Sequence, residues 1–498
     1  MTSLPKNGPY ILSIDQGTTS TRTVAFQLDG EPVATAQEAF KQIYPHDGWV
    51  EHDPEDIWRT AYSTLNAVIK DVGGADRVAA IGITNQRETT VLWDRKTSQP
   101  VSNAIVWQDR RGAATCRSLI ESDCGQVIQE RTGLIPDSYF SATKIQWILE
   151  SDKDIRARAE RGDLAFGTMD TFLLWRLTNG RVHATDATNA SRTMIFDIHR
   201  QDWDDELIGH FNIPKSVLPS VYDTAYSYGS TDHNVLGAEI PITALVGDQQ
   251  GALAGQNCFD TGMAKCTFGT GAFVLLNTGT IAPVSTNQLL TTVACRLDQQ
   301  TTYALEGSVF NAGTVVQWLR DEIGLVKDAD ETASLAASAA STEVTFVPAF
   351  TGLGAPHWDP DARGAILGIT RDTSKADIIR AALEAVCLQT NDLLESMTAD
   401  TCQALDVLRV DGGMAANAWM LQHLSDITGI PVERPSYLET TVQGAALLAG
   451  LAHGAYESRE AMAGIRKIER TFEPTQTKDW RDSHLARWRT AIRRVRLT

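Results

Sequence analysis

The chain has 498 residues, with 44 lysines and arginines against 62 aspartates and glutamates, so its formal net charge is −18. A duplex-binding surface or an anionic-lipid anchor needs the opposite sign, which excludes nucleic acid and membrane headgroups as partners. At 43% hydrophobic and 21% charged residues the composition is that of a globular protein, and the length passes the ~250–300 residues at which one core splits, so two or three domains are expected.

In chain order, the opening Met1 to Tyr10 is polar, and the apolar run Tyr10 to Ile14 is too short for a signal-peptide core. Nothing reaches the ~20 apolar residues of a membrane span; Gly444 to Ala452 comes nearest. The seven cysteines are odd in number and widely spaced, without metal-ligand spacing. A soluble, cytoplasmic chain with reduced thiols is expected, and the sequon Asn189-Ala-Ser191 is then idle.

Tyr10 to Ile14 and Thr23 to Phe26 read as strands joined by the turn Asp15-Gln-Gly-Thr-Thr-Ser20. Gly17 meets the needs of a hairpin, whereas a carboxylate and four hydroxyls within seven positions exceed them. Val78 to Ile83 and Ile242 to Val246 are further strands, the latter running into Asp248. Met263 to Phe268, Gly269-Thr-Gly271 and Ala272 to Leu276 repeat the strand, turn and strand pattern, which points to an internal duplication. A long helix is expected over Asp377 to Met397, a strand over Val407 to Val410 ahead of Asp411-Gly-Gly413, and a Trp/Arg-rich helix over Trp480 to Leu497, whose arginines read as a solvated or docked face. The alternation predicts an α/β class with helix-covered sheets, divided near Ala254 into units 1–254 and 255–498.

No P-loop, GxSxG elbow, HExxH helix or dinucleotide-binding GxGxxG is present. What remains is a set of small-residue turns able to aim backbone N–H groups at phosphate oxygens. These turns, together with Gly48-Trp-Val-Glu-His-Asp53, Asn85-Gln-Arg-Glu-Thr-Thr90, Ala104 to Arg111, Tyr139 to Lys144, Thr188 to Thr193, Gly247-Asp-Gln-Gln250 and Gly352 to Pro356, resemble the glycerol kinases. These are carbohydrate kinases with two duplicated actin-like (ribonuclease H-like) ATPase domains and a catalytic cleft between them. The resemblance spans almost the whole chain, and the Asn85 to Thr90 motif is the part specific to the glycerol branch.

It implies transfer of the γ-phosphoryl group of ATP to a terminal hydroxyl of glycerol, with Mg2+ as cofactor and two or four copies in the assembly. Asp248, at a strand end, would be the general base, although an Asp there can equally cap the following helix. Asp15 and Asp248 would hold the metal, with Thr18, Thr19 and Ser20 around the phosphates. Arg22 would add charge, a surface ion pair being its alternative. Glycerol needs partners for three hydroxyls and flat apolar surface for its carbons. Arg87, Glu88 and Gln249 supply the former, and Trp107, Tyr139 and Phe273 the latter under the resemblance; the bland readings are a strand-end salt bridge and core aromatics. Gly269, Thr270, Gly313, Gln317, Gly413 and Asn417 match nucleotide positions. The stretch Gly229 to Pro241, where some relatives hold an inhibitory sugar bisphosphate, has no Lys or Arg, so insensitivity to that anion is expected. A kinase for another polyol, or a non-catalytic ATP-binding scaffold, would share the phosphate turns.

Overall fold

The computed structural model describes residues 8–340, 343–359 and 361–496. Most of the polar opening stretch, Met1 to Asn7, lies outside the described residues, as does Leu497 at the end of the expected last helix. A five-stranded sheet is built from β1 (Tyr10–Gln16), β2 (Ser20–Phe26), β3 (Pro32–Ala39), β4 (Val78–Asn85) and β5 (Ile242–Gly247), in the order β5-β4-β1-β2-β3. The first three strands form an antiparallel meander, and β4 and β5 add in parallel beside β1. Helix α1 (Pro54–Asp71) covers one face through Ile57, Ala61, Leu65 and Val68, a stripe at helical spacing. Asp53 caps it by accepting from the Glu55 N–H at 2.9 Å, and Pro54 needs no such partner. Short helix α2 (Ala187–Ala190) and helix α3 (Asp248–Gly255) follow.

The second sheet repeats this plan with additions. Its strands are β6 (Ala264–Phe268), β7 (Ala272–Gly279), β8 (Leu290–Leu297), β9 (Gln300–Val309), β10 (Leu408–Asp411), β11 (Val432–Pro435) and β12 (Ile468–Phe472), in the order β8-β9-β7-β6-β10-β11-β12. Here β6 and β7 pair antiparallel, while β10 lies parallel to β6 and β11 parallel to β10, as β4 and β5 do to β1. The two hairpins therefore occupy equivalent places in two copies of one fold, the duplicated actin-like arrangement. Helices α4 (Gly313–Asp321), α5 (Lys375–Thr401) and α6 (Ala418–Thr428) belong to this half. A reciprocal Ser374/Asp377 capping box starts the 27-residue α5.

The apolar run from Gly444 lies in helix α7 (Thr440–His453), and its composition follows from where it packs. Although late in sequence, α7 covers the other face of the first sheet through Val442, Ala445, Leu448 and Ala449. It also crosses α3: at Gly255 and Gly444 an added methyl group would collide with the opposite helix's backbone, and at Gly251 it would be tightly confined by it. Among the described residues no helix is long and apolar enough to cross a membrane. The last helix, α8 (Lys478–Arg496), docks on α5: Trp488 is buried and donates to Asp392 Oδ2 at 2.7 Å, and Arg489 pairs with Glu395.

Candidate active site

The first turn leaves β1 at Asp15 and Gln16 and re-enters β2 at Ser20, closed by the Gly17 N–H donating to Ser20 O at 3.0 Å. A polar scaffold props it from beneath. The Gln86 amide donates to Gln16 Oε1 and Gly17 O, both at 3.2 Å, and Gln42 donates to Thr18 O at 3.0 Å while its own Oε1 meets His52 Nε2 at 2.7 Å. Burial pushes His52 down to about 4, which keeps the imidazole neutral. Thr18 Oγ1 accepts from Trp107 Nε1 at 3.0 Å, and Ser20 Oγ from Gln37 at 2.8 Å, whereas Thr19 is exposed. Asp15 is raised to about 7, first by burial and then by the charges of Asp248 and Glu439, against the pull of Arg22. Arg22 itself forms an ion pair with Glu439, just ahead of α7, at 2.6 Å. Its charge is thus shared across the two halves of the fold.

The second turn is barer. Gly269 and Thr270 are exposed, and the start of α4 sits on the turn's carbonyls: the Gly313 N–H donates to Gly269 O at 3.0 Å, and the Ala312 and Thr314 N–H groups to Thr270 O at 3.1 Å. A Cβ on Gly313 would stand 2.6 Å from Gly269 O, so this contact requires glycine. In the third turn the constrained residue is Gly412, with φ +84° and a Cβ position 2.5 Å from Phe268 O, and Gly413 is open beside it. The structure does not gather the remaining nucleotide candidates as closely. Gln317 is exposed on α4, and Asn417 caps α6 by accepting from the Met420 N–H at 3.0 Å while donating to Thr332 Oγ1 at 3.1 Å.

Arg87 and Glu88 follow directly on β4, Glu88 at φ +61°. Both side chains are buried, and they lie in a charge cluster rather than a lone strand-end pair. Arg87 reaches Asp248 Oδ1 through Nε at 3.1 Å, Glu306 through Nη1 at 2.5 Å and Nη2 at 3.0 Å, and Gln250 Oε1 through Nη1 at 3.3 Å. Arg192 donates to Glu88 Oε1 at 2.6 Å and to Glu306 Oε1 at 2.8 Å. Burial pushes both carboxyls up. Arg192 and Arg87 reverse this at Glu306, which ends at about 2, whereas Glu88 stays above its ordinary value. Asp248 is the opening of the cluster to solvent, its side chain 31% exposed. Gly247 holds the cap position of α3, and Asp248 Oδ1 accepts the Gln249 N–H at 2.7 Å.

Trp107 and Tyr139 meet edge to face, with centroids 5.6 Å apart, and the Arg192 guanidinium lies 5.5 Å from the Tyr139 ring. Phe273 stands apart from this ring pair, packed on a cluster containing Leu253 and Leu275. Its carbonyl accepts from Lys265 Nζ at 3.5 Å, and Lys265 also holds Gln249 Oε1 at 2.5 Å.

Sequence reasoning assigned no role to Arg192, Glu306 or Lys265. Arg192 lies inside the Thr188 to Thr193 motif, and that segment proves to be a hub. Thr188 Oγ1 accepts the Gly247 N–H at 2.9 Å, Asn189 Oδ1 accepts from Asn85 at 3.0 Å, and Ser191 Oγ meets Thr292 Oγ1 at 3.1 Å. For Glu306 and Lys265 the available signal was a charge inside an apolar strand, which costs free energy unless it is paired.

Among the described residues no three metal-ligating side chains cluster, so a cation here is not caged by protein alone. The Asp15 carboxyl, raised first by burial and then by the carboxylates of Asp248 and Glu439, is an oxygen donor that fits magnesium completed by waters and phosphate oxygens.

The chain matches the model for the N-terminal domain of the FGGY family of carbohydrate kinases over residues 10–255 and that for its C-terminal domain over 264–453. It is 53% identical to the glycerol kinase of Alcanivorax borkumensis over 98% of both chains, and 55% identical to that of Marinomonas sp. over 98% of this chain and 99% of the relative. Among solved structures it is similar to Plasmodium falciparum glycerol kinase with ADP, at 38% identity and TM-score 0.92 over 98% of both chains. The fold is shared with ligand-bound xylulose kinase from Lactobacillus acidophilus, at 21% identity and TM-score 0.87 over 97% of this chain and 98% of that one. With both domain models matched and full-length relatives above half identity, the chain belongs to the FGGY family of carbohydrate kinases.

Proposed function

We propose that the chain is an ATP:glycerol phosphotransferase, giving sn-glycerol 3-phosphate and ADP, with residues 1–254 carrying most acceptor groups and 255–498 most nucleotide groups. The observation that carries this reading is the convergence of Arg87, Glu88 and Asp248 in one cluster, within a chain whose full-length relatives are named glycerol kinases. An arginine has five N–H groups. Gln250 and the two oxygens of Glu306 take three of them at Arg87 and Nε forms an ion pair with Asp248 Oδ1, leaving one N–H on Nη2 for a ligand hydroxyl. Glu88 Oε1 is engaged by Arg192, and Oε2 is left as an acceptor. One donor beside one acceptor suits neighbouring hydroxyls, and the Trp107 and Tyr139 faces suit the carbon spine.

Asp248 takes the proton of the terminal hydroxyl as that oxygen attacks the γ-phosphorus in line. Arg87 pairs with Asp248 Oδ1 and leaves Oδ2 for the hydroxyl. Thr18 to Ser20 and Gly269-Thr270 present hydroxyl and N–H groups to the phosphates from opposite sides of the cleft. Asp15 and Asp248 would hold magnesium, which when bound neutralises charge on the phosphate oxygens. Water competes with the acceptor for the γ-phosphoryl group, so glycerol has to be enclosed before transfer.

Coupled measurement of ADP release tests the assignment. Release should rise severalfold or more on adding glycerol, and Asp248→Asn should lose about 10²- to 10⁴-fold in kcat; a glycerol-independent rate, or a mutant with full activity, refutes it. Assembly from two or four copies, and function in the cytoplasm, are the further expectations of this reading; sedimentation of the purified chain checks the first.

A further inference from the structure

Behind the acceptor groups lies a second buried cation that the phosphotransfer reading leaves without a role. Lys265, in the middle of β6, is fully buried, and its three N–H groups have three partners: Gln249 Oε1 at 2.5 Å, Thr267 Oγ1 at 2.8 Å and Phe273 O at 3.5 Å. An ammonium donates and cannot accept. The Gln249 amide must therefore turn its oxygen to the lysine, whichever way its two ends would otherwise settle. Its Nε2 hydrogens are what remains, and among the described residues they have no acceptor, although Gln249 adjoins Asp248 and is itself only 6% exposed.

We propose that Lys265 is a positioning residue that fixes the hydrogen-bond polarity of the acceptor pocket by holding Gln249 as a donor to a glycerol hydroxyl. The inference rests on the glycerol reading above. Burial lowers the pKa of Lys265, and Asp411, Asp248 and Glu306 around it oppose that shift and favour the charged form. The pocket then offers two donors, Arg87 Nη2 and Gln249 Nε2, and two acceptors, Glu88 Oε2 and Asp248 Oδ2. Each hydroxyl of glycerol can give and receive, so the triol can meet all four, and a diol that lacks the hydroxyl facing Gln249 leaves its amide donor unpaired. Thr267 ends one hydrogen bond from Lys265 and two residues before Gly269, so the same lysine ties acceptor polarity to the strand that carries the second turn.

The test compares glycerol with propane-1,2-diol and propane-1,3-diol, each lacking one hydroxyl, in steady-state kinetics of the full chain. Two variants are used: Lys265→Met, which removes the donor that orients the amide, and Gln249→Glu, which keeps a partner for Lys265 but has no N–H to give. In both, the preference in kcat/KM for glycerol over at least one diol should fall tenfold or more, because glycerol loses a partner that this diol never had. The KM for ATP should stay within about twofold. A loss common to glycerol and both diols, or a parallel rise in the KM for ATP, overturns the inference, since packing damage would act on all of these alike. If Lys265→Met does not fold, Gln249→Glu alone decides. Failure of the wild-type chain to phosphorylate glycerol would instead overturn the acceptor reading, so the two failures are distinguishable.

Discussion

The two turns proposed to meet the phosphates occupy equivalent positions in a duplicated fold and are held in opposite ways. The first carries a carboxylate and rests on side chains: Gln86 and Gln42 support its carbonyls, His52 holds Gln42, and Trp107 holds Thr18. The second carries no charge and rests on backbone, the start of α4 donating into Gly269 and Thr270. The lesson is a division of labour. Under the proposed roles, the turn that holds an acid for a metal is fixed and tuned by polar side chains, and the turn that only lets a phosphate approach is fixed by glycine and a helix start.

The sharpest way to break this contrast is to neutralise one turn and trim the other. Asp15→Asn should lower kcat by about 10²- to 10³-fold, because a group facing the transferred charge is lost, whereas Thr270→Ala should cost less than about tenfold. Equal losses in single-turnover assays would erase the distinction. Next in size, Gly313→Ala drives a methyl group against Gly269 O and should raise the KM for ATP by about tenfold while the KM for glycerol stays within twofold. A larger effect on glycerol would show that the second turn also shapes the acceptor pocket.

A smaller effect separates the two scaffolds by pH. His52 is held at about 4 in the folded chain, below its ordinary value of 6.5. Between those limits the unfolded chain binds a proton that the folded one refuses, so stability falls as pH drops from about 6.5 to about 4. His52→Gln should reduce that slope, by at most about 1.4 kcal/mol per pH unit, in denaturant titrations across this window; an unchanged slope would mean that the first turn's support is electrically silent. The smallest expected effect is none at all. A hexose bisphosphate should leave activity unchanged, because the loop around His233 to Leu236 contributes no cation and Asp232 already engages Arg181 at 3.5 Å.

The hairpins were legible in the chain because they are local: a strand, a glycine turn and a strand lie within about twenty residues. Arg87, Glu88 and Asp248 were picked out through the resemblance carried by Asn85 to Thr90 and Gly247 to Gln250, since the residues alone left a strand-end salt bridge and a helix cap open. Glu306 and Lys265 were not, since each is one charged letter inside a strand whose partners lie far away, Arg87 at 219 positions from Glu306 and Gln249 at 16 from Lys265. Asn417 shows the converse limit, for the motif that suggested a nucleotide contact also makes a sound helix cap. The packing of α7 on the first sheet was equally hidden, because an apolar run reveals that it is buried and not against what.

The glycine crossing of α3 and α7 has a mechanical consequence. Two backbones in contact leave no layer of side chains to rearrange between them, so the crossing resists sliding. Asp248 begins one of these helices, and the Arg22 to Glu439 pair sits at the start of the other. Asp248 is thus held at one end of a contact that has no layer of side chains to relax.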